Sequence, residues 1–148
     1  MREYQVWLEE TLIGTTRLES ADPPMGCVSG RIVPILKGFG YDYVKQFYAS
    51  RHIGFDDYPD VQLLATRATA FLKVITPEGK TIESLGNQIC GMGNDEFEVC
   101  LEGVGYPFYA EEFPKHCAAY ERFYADWEKN RYRGTVEIWG KTYFLKKI

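Results

Sequence analysis

The chain has 148 residues, of which 45% are hydrophobic and 26% charged, the size and composition of one ordinary globular domain. Its net charge of −4 argues against general nucleic-acid binding, because such binding depends on a basic surface. The sequence has no run of about 18 apolar residues and no basic start followed by an apolar core, so we expect no membrane span, no secretion signal and a cytoplasmic location.

The first third of the chain predicts strands followed by a short helix. Strand-forming, alternating patterns predict strands at residues 4–8, 12–19 and 30–36. Pro34 restricts the third of these strands to a sheet edge or to its own end. Val44, Phe47 and Tyr48 recur at helical spacing, which predicts a helix over residues 41–50.

The middle of the chain predicts a hairpin and one alternating strand. Residues 51–60 predict a loop, and Asp60 is expected to cap a short helical turn over residues 61–64. The predicted hairpin has strands at residues 70–76 and 80–85 around Pro77-Glu78-Gly79, whose proline and glycine favour a tight turn. Glycine and asparagine make residues 86–94 a predicted loop. Residues 96–102 then alternate, with the glutamates and Cys100 on one side and Phe97, Val99 and Leu101 on the other.

The C-terminal third predicts the longest helix of the chain and a last hairpin. Pro114 suits a first helical turn, and the helix is predicted to run over residues 114–130. Its apolar stripe comprises Cys117, Tyr120, Phe123, Tyr124 and Trp127. Two strands are expected around Gly140. The predicted fold is α+β, a mainly antiparallel sheet of about six to eight strands with two or three helices, in a single domain spanning residues 1–148.

The segment Asp22-Pro23-Pro24-Met25-Gly26 predicts a rigid corner between the second and third strands. Its prolines fix φ, Asp22 accepts from the neighbouring backbone, and Gly26 permits a left-handed residue. Met25 is expected to fold back over the core, although an adaptable contact at the tip is the alternative.

No set of residues predicts a metal, a cofactor or a catalytic centre. His52 shares a loop with Asp56, Asp57 and Asp60, but the spacing fits no zinc or calcium pattern, so we expect a solvated acidic loop. His116 and Cys117 point about 100° apart on the predicted helix and cannot pair. The cysteines are Cys27, Cys90, Cys100 and Cys117; without paired spacing they are expected to be free thiols that pack as small hydrophobes.

Residues 95–113 form an acidic, aromatic segment without Lys or Arg. Three glutamates on one side of a strand repel one another mildly, while such a row steers a basic partner and aromatic anchors add affinity. A solvated face that blunts pairing at a sheet edge is the competing interpretation. The predicted partner-binding residues are Glu96, Glu98, Glu102, Tyr106, Phe108, Tyr109, Glu111 and Glu112.

Charge is divided unevenly along the chain. Residues 1–114 hold 17 acidic and 9 basic side chains, whereas residues 115–148 hold 4 acidic and 8 basic ones. Aromatic residues make up 16% of the chain, and Tyr and Trp are enriched at protein interfaces. Both features favour a protein partner with a basic surface.

Two resemblances accompany this interpretation. The segment Glu19-Ser20-Ala21-Asp22-Pro23-Pro24-Met25-Gly26 resembles one in a family of small uncharacterised bacterial proteins. A compact, acidic, aromatic-rich domain without a catalytic set also resembles, in type, the small cytoplasmic immunity proteins that neutralise antibacterial toxins. This resemblance implies a bacterial inhibitor of a basic toxin or nuclease, with no cofactor.

The leading hypothesis is therefore a non-enzymatic binding module whose partner is a basic protein such as a toxin. A second hypothesis is a small enzyme that uses His52 with Asp56 or Asp57, or a free thiol such as Cys27, in a pocket lined by the sheet. A third is a structural subunit that adds an edge strand to a larger assembly.

Overall fold

The computed structural model describes residues 2–130 and 132–146, which form twelve strands and three helices. The strands are β1 (Tyr4–Leu8), β2 (Thr11–Thr16), β3 (Ser20–Asp22), β4 (Cys27–Arg31), β5 (Val33–Pro34), β6 (Phe55–Tyr58), β7 (Leu63–Thr66), β8 (Leu72–Ile75), β9 (Gly86–Met92), β10 (Glu96–Glu102), β11 (Tyr132–Ile138) and β12 (Lys141–Lys146). The helices are α1 (Tyr41–Ser50), α2 (Phe108–Glu112) and α3 (Pro114–Asn130). The predicted α+β class and the long helix near the C-terminus are confirmed.

The strands of the described residues form three antiparallel sheets. Four strands are ordered β5-β2-β1-β8, six are ordered β3-β4-β10-β9-β7-β6, and β11 pairs with β12 alone. β9 and β10 therefore lie at the centre of the larger sheet, and β3 and β6 lie at its edges. The strand predicted over residues 96–102 is central rather than peripheral.

One hydrophobic core joins the two larger sheets with α1 and α2. Alternate side chains of β1 and of β10 are buried in it, as a period of two requires for strands with one covered face. Helix α1 adds residues at helical spacing, including Val44 and Tyr48. The core-forming residues of β10 are Phe97, Val99 and Leu101.

Two segments predicted as loops are strands. Residues 86–94 contain β9, which pairs with β10 along its whole length. Its Gly91 lies so close to β10 that an added Cβ would come within 2.5 Å of the Phe97 Cα, so this glycine permits close packing rather than a turn. Residues 51–60 contain β6, which pairs with β7 at the sheet edge.

Two hairpins at opposite edges of the six-stranded sheet use the same connection. A proline-initiated 3-10 turn, Pro23–Met25 or Pro59–Val61, is followed by one left-handed residue, Gly26 or Gln62. The predicted rigid corner at residues 22–26 is thus present. Met25 is 67% exposed at its tip, so the expectation that this side chain folds back over the core is wrong.

Two further predicted strands differ in the structure. Residues 30–36 divide between β4 and β5, which belong to different sheets, and the fully buried Ile32 lies where the chain crosses between them. The turn at residues 77–79 forms as predicted, but residues 80–85 contribute only a single bridge between Ile75 and Thr81.

The long helix and the last hairpin form a C-terminal arm, defined here as α3, β11 and β12. Both elements are confirmed, but the apolar stripe of the helix does not enter the core beyond Cys117, and residues 118–127 are all exposed. Tyr124 stacks between Tyr120 and Trp127 along the helix surface. Over residues 2–130 and 132–146, no helix has the length and apolar character needed to cross a bilayer.

Candidate functional site

One face of the six-stranded sheet packs on the core, and β10 runs along the middle of the other face, which no described helix covers. Glu96, Glu98 and Glu102 are exposed on this side, while the alternate side chains of the same strand are buried in the core. At about 3.4 Å per residue, the row from Glu96 to Glu102 spans about 20 Å. The alternation predicted for residues 96–102 is confirmed.

The register shows which neighbours share this side of the sheet, because residues directly opposite one another point the same way. Glu98 lies between Arg31 of β4 and Cys90 of β9, and Glu96 lies opposite Met92. We call this surface the open face. Its outward residues include Asp22, Cys27, Arg31, Asp56, Tyr58, Leu63, Cys90, Met92, Glu96, Glu98, Cys100 and Glu102.

The three glutamates of β10 have no cation within ion-pair distance among the described residues. The guanidinium of Arg31 instead donates to the Asp95 carbonyl at 3.1 Å. Edge protection does not explain the row either, since β10 is bonded on both sides. No described cation therefore neutralises these three carboxylates.

A shallow cavity of about 380 Å³ lies beside two of these carboxylates. Leu63 and Met92 provide an apolar wall, and Glu96 and Glu98 provide charge. This combination matches a lysine or arginine side chain, whose aliphatic stem packs on apolar surface while its head remains charged. The lining residues are Arg31, Leu63, Cys90, Gly91, Met92, Glu96, Phe97 and Glu98.

Three free, half-buried thiols, those of Cys27, Cys90 and Cys100, also lie on the open face. Burial raises the pKa of Cys90 to about 11, and the Glu98 carboxylate that accepts from this thiol at 3.4 Å adds to the shift. Burial raises the pKa of Cys100 to about 11 as well, and the negative charge of Glu102 adds to this increase. Protonated thiols are poor nucleophiles, so this pair is not prepared for covalent catalysis.

The predicted aromatic anchors have different environments. Tyr109 is fully buried and its hydroxyl donates to the Cys27 carbonyl at 2.7 Å, so its assignment as a surface anchor is wrong. Phe108 is half-buried beneath the Lys80 ammonium, 4.6 Å from the ring centroid. Tyr106 is 55% exposed and donates to the Pro23 carbonyl at 2.8 Å, next to the strand that carries Asp22.

Two further predicted glutamates lie on α2, outside the open face. Glu111 is exposed. Glu112 accepts from Arg2 at 2.9 Å and from the Tyr4 hydroxyl at 2.8 Å, beside a separate cavity of about 310 Å³. The eight predicted residues therefore do not form one surface. Only Glu96, Glu98 and Glu102 share the open face, with Tyr106 near its corner.

The residues of the enzymatic alternative are not brought together. His52 is exposed just beyond the end of α1 and has no hydrogen bond or ion pair to either Asp56 or Asp57. Arg67 pairs with Asp56 at 3.1 Å, and Lys45 pairs with Asp57 at 2.8 Å. Within the described ranges, no group of three potential metal ligands is found.

The sequence pattern did not reveal what β7 and β9 contribute to the surface. The local pattern predicts a loop at Met92 and a helical turn at Leu63, so it does not connect either residue with the acidic strand. The signal that was present is the period-two pattern of Gln88, Cys90 and Met92, which the surrounding glycines obscured. Comparisons of the chain with protein-family models, with curated proteins and with solved structures gave no match.

Proposed function

We propose that this protein is a non-enzymatic binding module that holds a basic protein partner against the open face. The proposed role is that of an inhibitor of the immunity type, in which a basic toxin or nuclease is the partner. The observation that carries the proposal is a row of glutamates on a central strand that form no ion pair with any described cation, beside a cavity with an apolar wall.

The charge of the glutamate row favours binding of a partner and does not stabilise the fold. Two carboxylates about 7 Å apart repel each other by about 0.6 kcal/mol in water. This repulsion is small, and it adds nothing to the stability of the fold. A cation placed between Glu96 and Glu98 is attracted by both, and desolvation in the cavity strengthens each attraction. Complementary charge of this kind raises the association rate and discriminates against acidic proteins.

The decisive experiment is affinity capture from an extract of the producing organism at low salt. Three forms are compared: the native protein, the variant with Glu96→Lys, Glu98→Lys and Glu102→Lys, and a control with Glu3→Lys, Glu10→Lys and Glu83→Lys. The control glutamates are exposed, carry the same charge change and belong to no strand of the six-stranded sheet.

We expect the native protein and the control to capture the same basic protein and the open-face variant to lose it. With the captured protein purified, the association rate constant should fall by about 10- to 1000-fold for the open-face variant at low salt. Capture of no protein, or equal capture by both triple variants, would refute the proposal.

A further inference from the structure

In the part of the chain that the structure describes, the C-terminal arm meets the core near its start. His116 contacts the Leu18 carbonyl at 2.7 Å, and Cys117 packs against the core. Beyond these residues the 17-residue helix, about 25 Å long, continues with its side chains exposed through residue 127. The surface of α3 over residues 118–127 is therefore open to solvent.

The hairpin at the end of the arm shares no sheet with the body in the part of the chain that the structure describes. A two-stranded hairpin alone is marginally stable in water and needs a surface to pack against. At its tip, Ile138 is exposed and Trp139 is 99% exposed. Trp is among the residues most enriched at the centres of protein interfaces, so the tip has the character of a docking element.

The charge of the hairpin is opposite to that of the open face. Residues 132–146 contain three basic side chains, Arg133, Lys141 and Lys146, against one acidic side chain, Glu137. The open face presents Glu96, Glu98 and Glu102 without a cationic partner among the described residues. Seven residues of β11 extend about 20 Å, the same length as the glutamate row.

We infer that the basic hairpin of one copy docks on the open face of a second copy. This inference rests on the proposed function, which assigns the open face as the binding surface. It adds that the hairpin of another copy occupies the open face when the basic partner is absent. Reciprocal exchange of two arms closes a symmetric dimer and satisfies both faces at once. A basic partner must then displace the arm, which makes self-association a competitor of partner binding.

The test measures mass against concentration by analytical ultracentrifugation at low salt. We expect the native protein to form a dimer that dissociates at about 1 M salt, where the Debye length falls to about 3 Å. Lys141→Glu on the hairpin and Glu98→Lys on the open face should each raise the dimer dissociation constant about tenfold or more. Lys73→Glu and Glu10→Lys are the matched controls, since both residues are exposed and lie away from the two surfaces.

The double variant Glu98→Lys with Lys141→Glu restores opposite charges across the contact and should recover dimer formation. A monomer at every concentration at low salt, or a dimer equally affected by the control variants, would overturn the inference. Affinity capture tests the proposed function separately: an open-face variant that loses the captured partner but still dimerises leaves the proposed function standing and refutes the dimer contact. If the open-face variant loses the dimer and the native protein captures no partner, the dimer contact stands and the proposed function is refuted.

Discussion

At the scale of single residues, backbone conformation decides the proline turn between β3 and β4. Gly26 has φ +64°, and its N–H donates to the Pro23 carbonyl at 3.0 Å. Its carbonyl accepts from Val104 at 2.8 Å, so the chain segments approach closely. The turn connects β3 to β4, which pair with each other at one edge of the open face.

Substitutions at Gly26 and Gly93 separate two effects at Gly26, the left-handed backbone conformation and the close contact with Val104. Gly93 also has φ +64°, but an added Cβ there meets nothing within 4 Å, whereas at Gly26 it would lie 2.6 Å from the Val104 oxygen. We expect Gly93→Ala to lower the free energy of unfolding by about 1–2 kcal/mol through left-handed strain alone. Gly26→Ala should cost roughly 1–3 kcal/mol more because of the overlap. Urea unfolding measures both, and equal losses would contradict the assigned contact.

Residue type alone does not determine whether the Tyr109 side chain is exposed. A tyrosine in an acidic segment favours a surface position, yet a buried tyrosine is stable when its hydroxyl finds an acceptor, as here in the Cys27 carbonyl. The acceptor lies 82 residues away along the chain. No local pattern contains that information, so the sequence alone does not show which predicted aromatic anchors are buried and which are exposed.

At the scale of elements, strands with a clear period of two were predictable, and strands that depend on their neighbours were not. The alternation of β10 determines its sides from sequence alone, and α1 and α3 begin and end at the predicted residues. β9 has the composition of a loop, and becomes a strand because β10 and β7 supply hydrogen bonds on both sides. The glutamate row was therefore found, while its neighbours Met92 and Arg31 were not.

The pairing of β9 with β10 predicts how two thiols react. With a pKa of about 11, Cys90 and Cys100 expose about 100-fold less thiolate at pH 8 than an ordinary cysteine. Glu98→Gln removes a negative acceptor from Cys90 and should lower its pKa and speed its alkylation. Glu102→Gln should act mainly on Cys100 for the same reason. Iodoacetamide labelling followed by peptide mass spectrometry measures each site.

The unfolded protein in urea gives the reference rate for each cysteine in that experiment. Each variant also serves as the control for the other, because the two substitutions are alike and lie on the same strand. Labelling of Cys90 and Cys100 at the unfolded rate in the native protein, or identical effects of both substitutions on both thiols, would contradict the assigned register and burial.

At the scale of the whole molecule, segments distant in sequence are held together by Arg2. Its guanidinium contacts Glu78 at 2.5 Å, in the turn after β8, and Glu112 at 2.8 Å, on α2. The start of β1 is thereby joined to two other parts of the fold. The hydrogen bond from Arg2 lowers the pKa of Glu78 to about 2, well below its ordinary value of 4.5.

This contact predicts a specific acid dependence of stability. Because the folded pKa of Glu78 is lowered, its contribution is complete above about pH 4.5 and disappears as the pH falls through about 2. Arg2→Met should therefore reduce the free energy of unfolding at pH 6 and flatten its decline between pH 4.5 and 2. Glu3→Gln, at an exposed neighbouring position, should leave the slope of the native protein unchanged. Urea unfolding at a series of pH values measures the three curves, and parallel curves for Arg2→Met and the native protein would show that the Arg2 contacts contribute nothing to the folded state.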